Sequence, residues 1–279
     1  IYLMNLDYIT LKKTYIDLFE NSDKCDFVLT DVLFAFNEIY SLINDKKVNK
    51  ILEIGFGTGI LLKEFSKIFT EKSFYGLDPH ERGFNNYEKI SKKISNNNLF
   101  IIHEKLETFS PKENYDLIFS FNVFEHLEDQ KIYIKKIDNL LNKDGKSIIL
   151  CPNYDFPYEP HFIIPIILNK KITYKFFKKK IINHEKTTGE NGLWDGLNFC
   201  SKKKIKKFLS QNNYQFKFDH GIKDRLLKRI DNDKSSYFKK RQGLVAKIAK
   251  IAKYIKLDKF IFDFLMIPFP YMKIIIKKK

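Results

Sequence analysis

Cysteine is scarce: only Cys25, Cys151 and Cys200 occur in 279 residues, far apart and with no paired spacing. That excludes a disulfide framework and a clustered zinc pattern, and it points to a reducing compartment. Acidic residues are in the minority, 34 against 50 Lys and Arg, which leaves a formal net charge of +16. Two causes stay open for this surplus. One is a polyanionic partner such as nucleic acid, an anionic membrane or an acidic glycan. The other is coding bias, since the chain is rich in Lys, Ile, Asn, Phe and Tyr together. No run is long and uninterrupted enough to span a bilayer. The first residues lack the basic-then-apolar order of a signal peptide. The chain also begins at Ile1 and not Met, as a sequence lacking its own first residues would.

What is present centres on Ile51-Leu-Glu-Ile-Gly-Phe-Gly-Thr-Gly-Ile-Leu-Leu62. A short apolar run, Ile51 to Ile54, suits a buried parallel strand. Gly55, Gly57 and Gly59 follow at every second position. Leu61, Leu62, Phe65 and Ile68 then fall on one helical face. Strand, tight glycine turn and helix bring backbone close to a ligand and aim a helix N-terminus at it. A dinucleotide site would want its third glycine at position 60, where Ile60 stands.

The remaining pattern alternates. Ser73 to Asp78 reads as a second strand ending in an acid 19 residues past Gly59, the spacing at which a carboxylate accepts from ribose hydroxyls. Pro79 ends the ladder there. Leu99 to Ile102, Tyr115 to Phe121 and Lys146 to Leu150 are further strands, with helical segments between them and a turn at Asn142 to Gly145. Ser201 caps a helix to Leu209, and Tyr214 to Phe218 reads as a sixth strand. Near the start, Thr30 is expected to cap a helix over 31–45. Such alternation predicts an α/β fold: a Rossmann-like, doubly wound, mostly parallel sheet with helices on both faces. Ligands then sit at the carboxyl ends of the strands.

The segment Glu53-Ile-Gly55-Phe-Gly57-Thr-Gly59 resembles the first motif of class I S-adenosylmethionine (SAM)-dependent methyltransferases, and Asn122-Val-Phe-Glu125-His126 resembles their motif after strand four. The resemblance implies SAM as cofactor. It implies a cofactor site of Glu53, Gly55, Phe56, Gly57, Thr58, Gly59, Asp78, Pro79, Lys105, Leu106, Asn122 and Val123. Lys105 departs from the family, which often has Asp there against adenine, so a backbone N–H near Leu106 is the alternative. One branch, the ubiquinone-type O-methyltransferases, carries Glu-x-x-Glu-His and can hold a divalent cation. Here Asn122 stands in the first position, a carboxylate is lost, and no metal is expected.

For catalysis His126 is the best-placed base, following strand four and titrating near neutrality, with Glu125 beside it; the alternative is that the pair braces the helix start. Residues 151–200 form an aromatic, proline-punctuated insertion at the active end, read as a substrate-recognition lid or else as a side core. Tyr154, Tyr158, Glu159, His161 and Trp194 are its substrate candidates, with His161 and Glu159 also candidates for proton transfer. The insertion resembles bacterial methyltransferases encoded with surface-polysaccharide enzymes. The expected acceptor is therefore a hydroxyl (or amine) of a sugar or related envelope metabolite, free or lipid-linked. RNA methylation and a non-catalytic interaction subunit are the alternatives. Nucleic acid ranks lower because the Asn/Asp-Pro-Pro-Tyr/Phe motif of DNA amino-methylating enzymes is absent after strand four.

Domain boundaries are expected as a helical cover over 1–46, the methyltransferase domain over 47–220 and a basic extension over 221–279. From Lys223 to Lys279 there are 17 basic and 5 acidic residues. In 244–259 Leu244, Ile248, Ile251 and Ile255 form one stripe among lysines, followed by an aromatic stretch containing Pro268 and Pro270. Over 243–279 this reads either as an anchor on an anionic membrane surface or as a helix docking on the enzyme or a second subunit. The expected location is the cytoplasm, peripheral to the inner face of the membrane if the anchor holds.

Overall fold

The computed structural model describes residues 6–81, 85–232 and 268–279. These divide into two units, one within 1–41 and 221–267, the other within 42–220 and 268–279. The division falls at 41/42, 220/221 and 267/268, so the C-terminal region is shared between the two units.

In the first unit, helix α1 (Tyr8–Tyr15) is capped by Asp7, whose carboxylate accepts from the Thr10 N–H. Helix α2 is Ser22–Ile43. It starts well before the expected cap at Thr30. The apolar spacing of Val28, Leu29, Val32, Ala35, Phe36 and Ile39 runs straight through that residue, and the Thr30 hydroxyl instead donates to the Phe27 carbonyl. Asn21 is the side chain that accepts at the true start, from the Lys24 N–H. A third helix, Ile222–Asn232, meets α2 through a forked pair, Arg225 donating two N–H groups to the buried Glu38 carboxylate. Arg229 adds a contact to Asp31 and lies over the Phe34 ring. Such two-point arginine pairs fix orientation as well as charge. Burial pushes the Cys25 thiol up to about 11, so it is a core residue and not a nucleophile.

The second unit is built on a seven-stranded sheet. Its strands are β1 (Lys50–Ile54), β2 (Ser73–Leu77), β3 (Leu99–Ile102), β4 (Tyr115–Phe121), β5 (Leu141–Pro152), β8 (Phe216–Phe218) and β9 (Tyr271–Lys277). A separate two-residue pair, β6 (Tyr158–Glu159) with β7 (Ile164–Pro165), lies in the insertion. The order is β3-β2-β1-β4-β5-β9-β8, parallel from β3 to β5. Helices α3 (Ile60–Ile68), α4 (Asn85–Ser91), α5 (Gln130–Leu140) and α8 (Lys202–Gln211) flank it. The Rossmann-like expectation is thus borne out. The chain leaves β1 toward β2 and β3, then returns to β4 on the other side, so the topological switch point lies between β1 and β4.

Three local expectations change. The Asn142–Gly145 turn is part of β5: pairing steps from Tyr115↔Leu141 to Leu117↔Lys146, so the extra residues form an irregularity inside the strand. The sixth strand starts at Phe216 and sits at the sheet edge. The largest change is β9. Residues 271–277 lie antiparallel between β5 and β8, with Met272, Ile274 and Ile276 buried. The end of the presumed extension is therefore a core strand, because its β-branched residues match a half-buried pleat. Its buried side chains are spent in the sheet. Residues 243–267, the rest of that reading, lie outside the described residues.

The insertion carries α6 (Lys170–Thr188), capped by Asn169, and the short α7 (Leu193–Gly196). Phe162, Ile164, Ile181, Leu193, Trp194 and Leu197 form a core of their own, separate from the sheet core around Leu52, Ile118, Ile149, Tyr133 and Leu209. The side-core alternative describes most of its aromatics.

Candidate functional site

At the cofactor end the turn is built by backbone. Gly55, Gly57 and Gly59 all have φ between 55° and 78°, a region side chains resist. Gly55 has a further constraint: a Cβ there would come within 2.1 Å of a Val123 methyl. Val123 follows β4, so this contact closes the switch point from the opposite side. The Gly55 N–H donates to the Leu77 carbonyl, tying the turn to β2.

Asp78 stands at the end of β2. Its Oδ2 accepts from the Gly57 N–H at 2.9 Å, and its Oδ1 from the His80 N–H at 2.7 Å. A carboxylate has roughly four acceptor positions, so both oxygens keep capacity for ribose hydroxyls while fixing the turn. Glu53, 3 % exposed, has an Oε2 with no hydrogen-bond partner. Burial, and next the charge of Asp78, hold its carboxyl well above the usual range. A buried acceptor without a donor beside a glycine cradle fits a cationic amino group, as the amino-acid end of SAM provides. Gly55–Gly59, Glu53 and Asp78 would hold that cofactor, which supplies a sulfonium-bound methyl group.

Other expected cofactor residues divide. Phe56 turns inward, 5 % exposed, with its ring 5.1 Å from His80, and it fills the space a Cβ on Gly76 would need. Thr58 is buried beneath the turn, and Leu106 is buried after β3. Lys105 is spent on an exposed ion pair with Glu81 at 2.9 Å, a contact worth at most about 1 kcal/mol. Pro79 sits between Asp78 and His80 and directs the chain. Asn122 is held at φ 54°, its Oδ1 accepting from the Tyr271 hydroxyl of β9 at 2.8 Å.

Two histidines went unread in the sequence. His80, at φ 52° and 4 % exposed, places Nε2 at 2.7 Å from the Gly57 carbonyl and Nδ1 at 3.2 Å from Nδ1 of His103. The carbonyl can only accept, so His80 donates from Nε2. A neutral His80 then accepts at Nδ1, and His103 donates. The available signal was position: His80 follows the ribose acid, and His103 follows β3.

The acceptor end is built by side chains. A short helical turn, Phe124–His126, follows β4 and carries Glu125 and His126. The insertion brings His161 to them. Glu125 Oε1 lies 4.0 Å from Nε2 of His126 and 4.0 Å from Nε2 of His161, and the two imidazole rings are 5.3 Å apart, edge to face. Glu125 is fully buried; both histidine side chains are 16 % exposed. Glu159 Oε1 takes a hydrogen bond from His161 Nδ1 at 2.6 Å and one from the Tyr154 hydroxyl at 3.1 Å, while Oε2 accepts from the Phe162 N–H at 2.7 Å. Burial alone would raise this carboxyl. The charge and hydrogen bond of His161 and the backbone donors outweigh it, and the carboxyl is held below its usual range. Burial, and next the charge of Glu159, raises the Tyr154 phenol. The Asn198 N–H donates to the Glu125 carbonyl at 2.6 Å, joining the insertion to the turn after β4.

Sequence-distant candidates thus converge: Glu125, His126, Glu159, His161 and Tyr154 form one cluster. Trp194 does not join it. It is buried in the insertion's own core against Phe162, Tyr174 and Phe199. Tyr158 pairs in the small ladder with Pro165.

Residues 29–216 match the methyltransferase domain family. The chain belongs to that family and is a SAM-dependent methyltransferase. An uncharacterised protein of Mycobacterium tuberculosis is 27 % identical over 207 residues, covering 73 % of this chain and 70 % of that protein. Malonyl-[acyl-carrier protein] O-methyltransferase 2 of Ilyobacter polytropus is 34 % identical over 103 residues, 37 % of this chain and 39 % of that protein. Among solved structures, phosphoethanolamine N-methyltransferase 2 of Haemonchus contortus in complex with SAM superposes with a TM-score of 0.52. It is 14 % identical and covers 95 % of this chain and 59 % of that one. At this identity the likeness is one of fold.

Proposed function

We propose that the enzyme methylates a hydroxyl group of a sugar or related cell-envelope metabolite. The observation that carries the reading is the cluster of Glu125, His126 and His161, which stands after β4 across the switch point from the glycine turn. A hydroxyl attacking the sulfonium methyl must lose its proton, and the cluster marks the place for that loss. In-line displacement otherwise needs positioning above all, and good orientation of two partners recovers several kcal/mol of barrier. His126 and His161 are the proposed proton acceptors there, with Glu159 and Tyr154 orienting His161.

The insertion supports the choice of acceptor. An open cleft of about 580 Å³ is lined by Glu128, Asn191, Gly192, Asp195, Gly196 and Asn198. Carboxylates and amides suit vicinal hydroxyls. The same carboxylates repel phosphates, which disfavours RNA in spite of the basic surplus. Incubation with methyl-labelled SAM and, separately, an envelope glycan fraction, total RNA and small metabolites tests the reading. Label is expected in the glycan fraction; label in RNA alone rejects it.

A lipid-linked acceptor would place the enzyme in the cytoplasm at the inner face of the membrane. No helix among the described residues is long and apolar enough to cross one. The basic segment 243–267 is the part of the chain suited to an anionic surface. Flotation with anionic liposomes, with and without 243–267 and leaving β9 in place, decides between anchor and docking helix. Equal flotation rejects the anchor.

A further inference from the structure

Two elements far apart in sequence bring a carboxylate and two imidazoles into one small volume. One donor atom each from Glu125, His126 and His161 lies within 4.8 Å of the others. We propose that these three residues bind one divalent first-row transition cation of the zinc class. The donor set favours that class: imidazole suits zinc, copper, iron and nickel, whereas magnesium and calcium prefer sites made of oxygen. Three protein ligands leave a position open for an outside oxygen. Asn122 removes a carboxylate from the stretch after β4, and His161 supplies the third donor from the insertion.

The surroundings of His161 add a second, independent observation. Its Nδ1 is fixed by the Glu159 carboxylate at 2.6 Å, which leaves Nε2, the atom facing Glu125, as the ligand nitrogen of the neutral ring. Glu159 is itself pinned by the Tyr154 hydroxyl and the Phe162 N–H. A carboxylate holding the far nitrogen is the usual way a metal-binding imidazole is oriented. Tetrahedral ligation at about 2.1 Å from the ion needs donors about 3.4 Å apart. The present 4.0 Å separations close to that by small side-chain movements.

Ion binding stands apart from the identity of the acceptor, but its role in catalysis rests on the function proposed above. With the ion bound, the imidazoles are ligands and take no proton; without it they are the proton acceptors proposed above. The acceptor hydroxyl takes the open position, its O–H bond breaks and the proton leaves to water. The oxygen then forms its bond to the methyl carbon as the carbon–sulfur bond breaks.

The test reads the ion and not the methyl group. Untagged full-length protein is freed of metal with a chelator, then titrated with Co²⁺ by visible absorption and with Zn²⁺ by calorimetry. One ion per chain is expected. His161→Ala and His126→Ala each lose at least ~100-fold in affinity, and Glu159→Gln, acting through His161, loses ~10–100-fold. SAM affinity of each variant, measured alongside, shows that it has folded. His103→Ala binds the ion as the unaltered protein does. Less than one ion per chain, or binding undiminished in a folded His161→Ala or His126→Ala protein, overturns the proposal. So does a loss seen in His103→Ala and not in His161→Ala. Methyl transfer by a protein that binds no ion rejects this site and leaves the proposed function standing.

Discussion

Between Gly55 and Gly59 the site is made of backbone; between Tyr154 and His161 it is made of side chains. The glycine turn works through dihedral angles, N–H groups and a close approach to Val123. Each of these leaves a mark in sequence, because only glycine fits there. The acceptor cluster works through where separate loops end. Its spacing along the chain, from Glu125 to His161, carries no geometric rule. The first kind of site tolerates almost no change in residue type, and the second depends on an intact insertion.

The largest effect tests the first region alone. Gly55→Ala combines φ 75° with a Cβ 2.1 Å from Val123, so unfolding free energy should fall by ~3 kcal/mol or more and SAM binding should vanish in calorimetry. Gly57→Ala sharpens the point: its nearest neighbour would be at 3.6 Å, leaving backbone strain of about 1–2 kcal/mol. Equal effects at both positions would show that crowding by Val123 is not what sets Gly55 apart.

Next comes Trp194→Ala, which removes the largest ring of the insertion's core and should cost about 3 kcal/mol locally. Hydrogen exchange over 162–197 should accelerate while SAM affinity stays within about twofold. A matching loss of SAM affinity would break the separation of the two regions. Two point variants then divide the functions directly. Asp78→Ala should weaken SAM binding by ~30-fold, about 2 kcal/mol, since it loses the ribose acceptor and the hold on Gly57. His161→Ala should leave SAM binding intact and lower the rate of transfer by ~100-fold or more.

What could be read in advance follows the same division. The sheet, the glycine turn and Asp78 were legible because period, glycine spacing and the end of β2 are local signals. Strand β9 was not. Residues 271–277 follow a basic segment, and nothing nearby in sequence shows that they will lie between β5 and β8, since a partner more than a hundred residues away decides it. Thr30 looked like a cap because capping residues also occur inside helices. His161 and Glu159 could be listed as candidates, but their meeting with Glu125 depends on the hairpin β6–β7. Trp194 shows the converse: an aromatic in a presumed lid packs as core when the insertion is long enough to need one.

The smallest effect concerns the His80–His103 contact beneath the glycine turn. Partial burial and next the positive charge that His80 would carry lower the His103 pKa; Lys92 adds to this, and Glu88 and Asp78 oppose it. A depressed histidine prefers its neutral form in the folded protein. As pH falls through about 6.5, the unfolded imidazole takes up its proton first. The unfolded state then binds more protons, and stability declines with falling pH until the folded pKa is passed. Above about 6.5 the contribution is fully present and pH-independent. The denaturation midpoint of the unaltered protein should therefore drop more between pH 7.5 and 5.5 than that of His103→Gln, which cannot titrate. Since His80 also holds the Gly57 carbonyl, SAM affinity should weaken over the same interval. Identical pH slopes for the two proteins would show that the pair does not couple protons to the cofactor cradle. Acid sensitivity of SAM binding would then have to be sought at Glu53, whose ionised carboxylate would receive the cofactor's amino group; burial raises this carboxyl, so its contribution to fold stability has the opposite sign, present at low pH and lost as pH rises through its folded pKa.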